Sequence, residues 1–312
     1  MMMHKRLWCV AGVVVVLFSS VMAFSEEKVV DEAGRRYVVT HPFKRIISLY
    51  EAHTENLVAL GLSSEIIGVN DDDITENISL KKQVFSYHDG PEKFIAAKPD
   101  LILIRPMIDR AYSGLFSTLE QNGIVVMSLQ PVTVDEMYDY WRVLGLLTGK
   151  KDKAEAMVKK FKQDLADILE KTKKLKTKKR VYFESMHHQM KTFSKESMAI
   201  FCLESAGGIN VAKDAVPSRA TNIGIYGKEK ILSHAGDIDV FLVQSGRMNQ
   251  TDVATIKNEP GFNIIKAVKE NKIYLIDETL VSRPTPRLIE GIRAIGNILY
   301  PDVFASQTRT KG

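Results

Sequence analysis

The chain has 312 residues, of which 45% are hydrophobic and 26% are charged, and its formal net charge is +5. This composition excludes a disordered or fibrous chain, and the length is sufficient for two domains of ordinary size. The excess of positive charge is too small to indicate nucleic-acid binding.

The N-terminus has the pattern of a secretory signal peptide over residues 1–23. Two basic residues precede an apolar run from Leu7 to Phe18, and small residues follow as far as Ala23. The apolar run is shorter than the roughly 18–20 residues that a membrane-spanning helix needs, so we expect cleavage near Ala23 rather than an uncleaved anchor. Cys9 lies inside the apolar run without a lipoprotein box around it. The sequence therefore predicts export to the periplasm without a lipid anchor.

Strands and helices alternate over residues 24–149, which is typical of a parallel α/β lobe. The predicted strands are Arg45–Leu49, Ile66–Val69, Leu101–Ile104 and Ile124–Met127, and the predicted helices are Thr54–Leu60 and Tyr112–Gln121.

A long connecting helix is predicted within residues 150–177. Apolar residues from Ala154 to Leu169 recur at three- and four-residue spacing, which indicates a helix of about six turns. The basic run KKLKTKKR follows it. Because cations favour helix C-termini, this run is interpreted as a solvated helix end rather than a nucleic-acid site.

The same alternation returns over residues 178–312 and predicts a second α/β lobe. The predicted strands are Arg180–Glu184, Val240–Val243 and Lys272–Ile276, and the predicted helices are Met198–Ser205 and Pro286–Leu299. The fold class is therefore α/β, with two parallel-sheet lobes joined by one long backbone helix. This arrangement is a clamshell with a cleft between the lobes.

Six segments, in this order, resemble the solute-binding proteins of ATP-driven importers for iron-siderophores, haem and vitamin B12, the helical-backbone class of periplasmic binding protein. The segments are RIISLYEAHTENLVALGLSSEIIGV (Arg45–Val69), EKFIAAKPDLILI (Glu92–Ile104), LEQNGIVVMSL (Leu119–Leu129), ESAGGINVAKD (Glu204–Asp214), GKEKILSHAGDIDVFLV (Gly227–Val243) and NEPGFNIIKAVKENKIYLID (Asn258–Asp277). The resemblance implies a monomeric binding protein without a permanent cofactor. Its partners would be a membrane permease with its ATPase subunits, and a metal chelate as the transported ligand.

Two glutamates match the positions at which members of this family dock on the permease. They are Glu92, which precedes FIAAKPD, and Glu229, in GKEKIL. Ion pairs at the rim of an interface set register and association rate more than affinity, which suits this role. Both positions also suit a glutamate that simply favours a helix N-terminus.

Arginines follow the predicted strands where loops should face the cleft. Arg105 and Arg110 follow the third strand of the first lobe, and Arg247 follows a strand of the second lobe. Arg283 and Arg287 flank the start of the last helix. A guanidinium suits carboxylate or catecholate oxygens, so we expect an anionic chelate rather than a bare cation. Each arginine could instead pack its stem on apolar neighbours.

Aromatic and imidazole side chains also lie near the expected cleft. The first loop departs from the usual Ser-Pro-x-x-Thr-Glu of the family and places Tyr50 and His53 there, where they could stack on a ligand or bind its metal. His53 could instead cap the following helix. Tyr87 is expected at the cleft rim.

A weak metal hypothesis concerns His187 and His188, which follow a strand of the second lobe. Adjacent histidines alternate sides in an extended segment, so the two cannot easily bind one metal ion. A polar loop that lines the cleft is the favoured interpretation.

The sequence favours a binding protein for a metal chelate, with no enzymatic activity. Neither a Gly-x-Ser-x-Gly elbow nor a His-Glu-x-x-His zinc helix is present. A receptor for free Zn or Mn and a periplasmic hydrolase of the chelate remain alternatives. Among chelates, a ferric siderophore is favoured, and haem and cobalamin stay open.

Overall fold

The computed structural model describes residues 27–71, 82–218 and 221–305, so the predicted signal peptide lies outside the described residues. The described chain begins with an antiparallel hairpin, β1 (Glu27–Val30) and β2 (Arg36–Val39). The Asp31 carboxylate stabilises its turn by accepting hydrogen bonds from the backbone of Ala33 and Arg35. The sequence patterns did not predict this hairpin.

Five parallel strands form the first sheet. They are β3 (Ile46–Ser48), β4 (Ile66–Asn70), β5 (Gln83–Phe85), β6 (Leu101–Ile104) and β7 (Val125–Ser128), in the spatial order β5-β4-β3-β6-β7. The helices of this lobe are α1 (Glu51–Ala59), α2 (Pro91–Ala97), α3 (Pro106–Ala111), α4 (Ser113–Gln121) and α5 (Val134–Leu147). The chain leaves β3 in one direction and returns on its other side as β6. This reversal of strand order creates a crevice at the carboxyl ends of β3 and β6.

The long helix α6 (Lys151–Thr172) follows, close to its predicted range. The second lobe contains the strands β8 (Arg180–Met186), β9 (Lys191–Phe193), β10 (Ile209–Asn210), β11 (Val216–Pro217), β12 (Ile223–Ile225), β13 (Val240–Ser245) and β14 (Ile273–Asp277). Its helices are α7 (Met198–Ser205), α8 (Lys228–Ser233), α9 (Val253–Asn258), α10 (Lys266–Lys269), α11 (Glu278–Val281), α12 (Leu288–Leu299) and α13 (Pro301–Phe304).

The second sheet is mixed, whereas the sequence predicted a parallel one. Strands β8, β13 and β14 are parallel neighbours, but β9, β12 and β11 extend the sheet in antiparallel fashion. The reason is a tight turn after β8: residues His187–Gln189 form one 3₁₀ turn, and Met190 adopts a left-handed conformation with φ of 48°. The chain therefore returns beside β8 instead of crossing over through a helix. The α/β class itself is confirmed.

One continuous apolar core joins the two lobes. It includes Leu57 and Trp141 of the first lobe, Phe161 of α6, and Leu203 and Ile292 of the second lobe. Two separate apolar clusters cover the outer faces of the two sheets. Because relative movement of the lobes would disrupt this shared core, we expect the cleft to be largely preformed. Over the described ranges, no helix is both long and apolar enough to cross a bilayer.

Candidate ligand-binding cleft

Loops that follow the carboxyl ends of strands in the two sheets approach each other and define the candidate cleft. From the first lobe, Tyr50 and Glu51 follow β3, and Arg105 follows β6. From the second lobe, Arg247 follows β13, and its Nη1 lies 4.0 Å from the Glu51 carboxylate. This arrangement brings side chains of the first crevice together with the loops of the opposite sheet.

Arg105 stacks on the ring of Tyr50. The guanidinium carbon lies 4.5 Å from the ring centroid, which is within the range of a cation–π contact. The Nε atom of Arg105 is buried and has no hydrogen-bond partner among the described residues. Burial raises the pKa of the Tyr50 hydroxyl, although Arg105 and Arg283 oppose this change, so the ring remains a neutral phenol. The pair combines a positive charge, an aromatic face and an unused donor.

His53 lies inside the protein rather than on the cleft surface. Its side chain is fully buried; the hydroxyl of Tyr140 lies 2.6 Å from Nδ1, and the carbonyl oxygen of Ile104 lies 3.1 Å from Nε2. Tyr140 therefore donates to Nδ1 and Nε2 donates to Ile104, which requires the neutral ring. Burial lowers the pKa of His53 to about 3. Because both nitrogens are occupied, the predicted ligand contact of His53 is not supported, and neither is a capping role. His53 instead fixes the backbone just before Arg105.

The same network crosses to the second lobe. The side-chain amide of Asn56 donates to the Tyr140 hydroxyl (3.3 Å) and to the carbonyl of Pro284 (3.0 Å), and the indole of Trp141 donates to that carbonyl at 3.1 Å. A single backbone carbonyl of the second lobe is thus held by two side chains of the first. The sequence signal for this contact is weak, because its partners are more than 140 positions apart in the chain.

Arg283 is a clamp between the lobes. It is 7% exposed, its Nη2 pairs with Glu51, and its Nη1 lies 2.7 Å from the carboxylate of Glu55. Both glutamates belong to α1 of the first lobe. The predicted ligand contact of Arg283 is therefore not supported, since its donors already bind protein carboxylates. Arg287 lies 3.9 Å from Glu55 and is the more exposed of the two arginines.

The loop that carries Arg247 is held by Glu278. The Glu278 carboxylate accepts hydrogen bonds from the backbone nitrogens of Arg247 (3.1 Å) and Met248 (3.3 Å). Gly246 allows this approach, because a Cβ atom there would lie 2.2 Å from the Glu278 side chain. Arg247 itself projects outward with 61% of its side chain exposed. Sequence reasoning identified Arg247 but missed the glutamate that positions it.

Tyr87 and Arg110 lie at the same edge of the first sheet. Tyr87 packs against the rings of His88 and Tyr112, with both centroid distances at 4.7 Å. Tyr87 and Tyr112 are half-buried, and His88 is exposed. Arg110 is exposed in the last turn of α3. Contact of Tyr87 or Arg110 with a ligand stays a prediction.

Glu92 and Glu229 each occupy the first turn of a short helix, α2 and α8 respectively, and both are exposed. Each helix follows a glycine, Gly90 or Gly227. Among residues 27–71, 82–218 and 221–305, neither carboxylate has an ion-pair partner. One carboxylate on each lobe is thus accessible to an external cation.

The histidine pair after β8 lies in a 3₁₀ turn rather than in the extended segment that the sequence interpretation assumed, and the two side chains have different surroundings. His187 is 6% exposed, with Nδ1 at 3.1 Å from the buried Glu184 and Nε2 at 3.4 Å from Glu259. The hydrogen bond with Glu184 raises the pKa of His187. His188 is exposed and contacts Gln189. No group of three or more metal-ligating side chains suited to an ion occurs within the part of the chain that the structure describes.

Comparison with known proteins identifies the family. The family model described as "Periplasmic binding protein" matches residues 46–280, from the start of β3 into α11. The chain belongs to this family. The match includes the loops that carry Tyr50, Arg105 and Arg247, and it ends just before the Arg283 clamp.

Relatives of this periplasmic binding protein align over most of its length. An uncharacterized ABC transporter substrate-binding lipoprotein of Bacillus subtilis, YvrC, is 27% identical over 289 residues, with 88% of this chain and 86% of the relative covered. A vitamin B12-binding protein of Vibrio parahaemolyticus is 23% identical, with 82% and 89% covered. The crystal structure of a possible iron-binding, periplasmic solute-binding protein from Staphylococcus epidermidis matches with a TM-score of 0.72 and 28% identity, over 83% of this chain and 100% of that one.

Proposed function

We propose that this periplasmic binding protein is the substrate-binding component of an ABC importer. It captures a metal chelate in the cleft between its lobes and delivers the chelate to a membrane permease with ATPase subunits. The observation that carries the ligand class is Arg105, whose buried Nε has no partner among the described residues and whose guanidinium lies over Tyr50. The similarity to proteins named for substrate binding in ABC transport supports the transport role.

The charges around the cleft favour a ligand that presents oxygen acceptors over a bare cation. Arg105 and Arg247 approach from opposite lobes, and neither guanidinium is fully buried. A bare divalent cation would be repelled by both groups, whereas oxygen atoms of a chelate accept hydrogen bonds from them. The fully occupied nitrogens of His53 also argue against a receptor for free Zn or Mn.

A ferric siderophore is the favoured ligand, since its oxygen donors match the guanidinium groups and its organic part matches the ring of Tyr50. The Staphylococcus epidermidis relative is named as a possible iron-binding protein, which supports an iron chelate. The Vibrio parahaemolyticus relative is named for vitamin B12, which keeps cobalamin as a second candidate. The relatives described above are named for binding, which supports transport over hydrolysis of the chelate.

The test is a fluorescence titration of the mature protein. The sequence contains two tryptophans, and Trp8 belongs to the predicted signal peptide, so the emission of Trp141 at the lobe interface is the reporter. Titration with a ferric siderophore, haemin and cyanocobalamin is expected to give saturable quenching with one of them. Zn²⁺ and Mn²⁺ serve as comparison ligands, and saturable binding of either metal without any chelate would contradict the proposed function.

Arg105→Ala is expected to weaken chelate binding at least tenfold, because a charge-assisted hydrogen bond contributes roughly 1.5–3 kcal/mol. Arg36→Ala is the matched control, since Arg36 is an exposed arginine on the distant strand β2. Equal affinities of the two variants would show that the end of β6 does not bind the ligand.

The docking role of Glu92 and Glu229 predicts a defect in uptake without a defect in binding. The double variant Glu92→Gln/Glu229→Gln is expected to bind the chelate with wild-type affinity, because both carboxylates are exposed first-turn residues. Uptake of the labelled chelate by cells that depend on this protein is expected to fall several-fold, since rim charges govern association. Wild-type uptake by the double variant would exclude this docking site.

A further inference from the structure

Glu51 lies beside Arg247, the exposed arginine that follows β13. It is the first residue of α1, directly after the strand at which the sheet order reverses. One carboxylate oxygen pairs with Arg283, and the other lies 4.0 Å from Nη1 of Arg247. Its side chain is 13% exposed, so solvent screens it only in part.

Glu55, one helical turn later, provides the contrast. It also pairs with Arg283, at 2.7 Å, and its second arginine contact is with Arg287, at 3.9 Å. Arg283 therefore has a carboxylate partner in Glu55 even without Glu51. Glu51, by contrast, lies 4.0 Å from Arg247 as well as beside Arg283.

We propose that Glu51 is a specificity-determining residue that limits the negative charge of the ligand by competing with it for Arg247. This inference rests on the proposed function. An acidic group of the ligand that approaches Arg247 also approaches the Glu51 carboxylate, and like charges in a partly desolvated cleft repel each other. Arg105, on the neighbouring strand end, remains available for one oxygen-rich group. The favoured ligands are ferric chelates of low net charge, of the hydroxamate type, rather than trianionic tris-catecholates.

The test compares two ferric chelates of different charge. Wild-type protein, Glu51→Gln and Glu55→Gln are titrated with a neutral ferric tris-hydroxamate and a trianionic ferric tris-catecholate, at two salt concentrations. The wild type is expected to prefer the neutral chelate. Glu51→Gln is expected to gain about tenfold in affinity for the trianionic chelate, with less change at high salt, and to bind the neutral chelate within about twofold of wild type. Glu55→Gln is expected to keep the wild-type preference.

A second substitution distinguishes an effect of the Glu51 charge from a folding defect. Glu51→Asp keeps the charge but withdraws it by one methylene group, so it is expected to give a preference between those of the wild type and Glu51→Gln. An equal loss of affinity for both chelates in Glu51→Gln would make Glu51 a structural or direct ligand-binding residue and would overturn the inference. Equal gains in Glu51→Gln and Glu55→Gln would overturn it as well.

The same titrations distinguish failure of the proposed function from failure of the inference about Glu51. If the wild type binds neither ferric chelate but binds haemin or cyanocobalamin, the iron-siderophore assignment and the charge limit both fail, while the transport role stands. If it binds none of these ligands, the proposed function fails with the inference. Binding of the chelates by the wild type with an unchanged preference in Glu51→Gln overturns the inference alone.

Discussion

Arg283→Ala is expected to lower the free energy of unfolding by about 3–5 kcal/mol, because it leaves two mostly buried carboxylates without their shared partner. Glu51 and Glu55 are 13% and 10% exposed at the side chain, and both contact the Arg283 guanidinium. Urea denaturation, followed through the emission of Trp141, measures the change. Trp141 is a suitable reporter because its indole donates to the carbonyl of Pro284, which directly follows Arg283 in the chain.

The decrease in the free energy of unfolding caused by Arg283→Ala should also depend on pH. Burial raises the pKa of Glu55 to about 7, although Arg287 and Thr285 oppose this change. Removing the Arg283 charge raises the pKa of Glu55 further in the variant, so ionising this carboxyl as the pH rises costs the variant more than it costs the wild type. We therefore expect a larger destabilisation at pH 8 than at pH 6.

Arg287→Ala is the control for this prediction. Arg287 is 33% exposed and lies 3.9 Å from Glu55, so a surface ion pair of this kind contributes about 0–1 kcal/mol. If Arg283→Ala destabilises the protein no more than this control, Arg283 does not clamp the lobes. It would then be available to a ligand, as the sequence first predicted.

The clamp has a consequence for how the protein selects its ligand. The lobes share one apolar core, one hydrogen-bonded carbonyl at Pro284 and one buried ion cluster. Each of these contacts would have to break for the lobes to separate widely. We therefore expect selectivity to come from groups already in place, among them Tyr50, Glu51 and Arg105.

The parts of the fold that can be predicted from the sequence are those determined by residues close together in the chain. The run LILI between Asp100 and Arg105 is apolar at every position and became β6, buried throughout, with its arginine at the carboxyl end. The spacing of apolar residues in α6 gave the long helix. The antiparallel strand β9 was missed because its turn contains no glycine or asparagine, and the left-handed position is taken by Met190.

The roles of individual site residues depend on contacts that are distant in sequence. His53 could be a cap, a ligand or a core residue until Tyr140, 87 positions away, is placed beside it. Arg283 is equally ambiguous without Glu55, 228 positions away. Glu51 was overlooked, although its position directly after a strand end is the signal that identified Arg105. A glutamate at such a position is as well placed to contact a ligand as an arginine.

Acid is expected to destabilise the protein through His53. Burial lowers the pKa of the folded-state ring to about 3, and the charge of Arg105 acts in the same direction. The unfolded chain has an ordinary histidine pKa of about 6.5, so below that pH the unfolded state binds a proton that the folded state does not. The stabilising contribution is thus present above pH 6.5 and is lost as the pH falls, by about 2 kcal/mol at pH 5.

The comparison that isolates His53 is with His53→Gln, which does not titrate in this range. At pH 7.5 the variant is expected to be less stable by about 1–3 kcal/mol, because Tyr140 and Ile104 lose well-placed partners. At pH 5 that deficit should shrink by about 2 kcal/mol, since only the wild type is penalised by acid. Other groups, such as His187 with its raised pKa, act equally on both proteins and cancel in the difference. Parallel pH profiles for the two proteins would mean that His53 is accessible to protons, and a role at the ligand would again become the better explanation of its position.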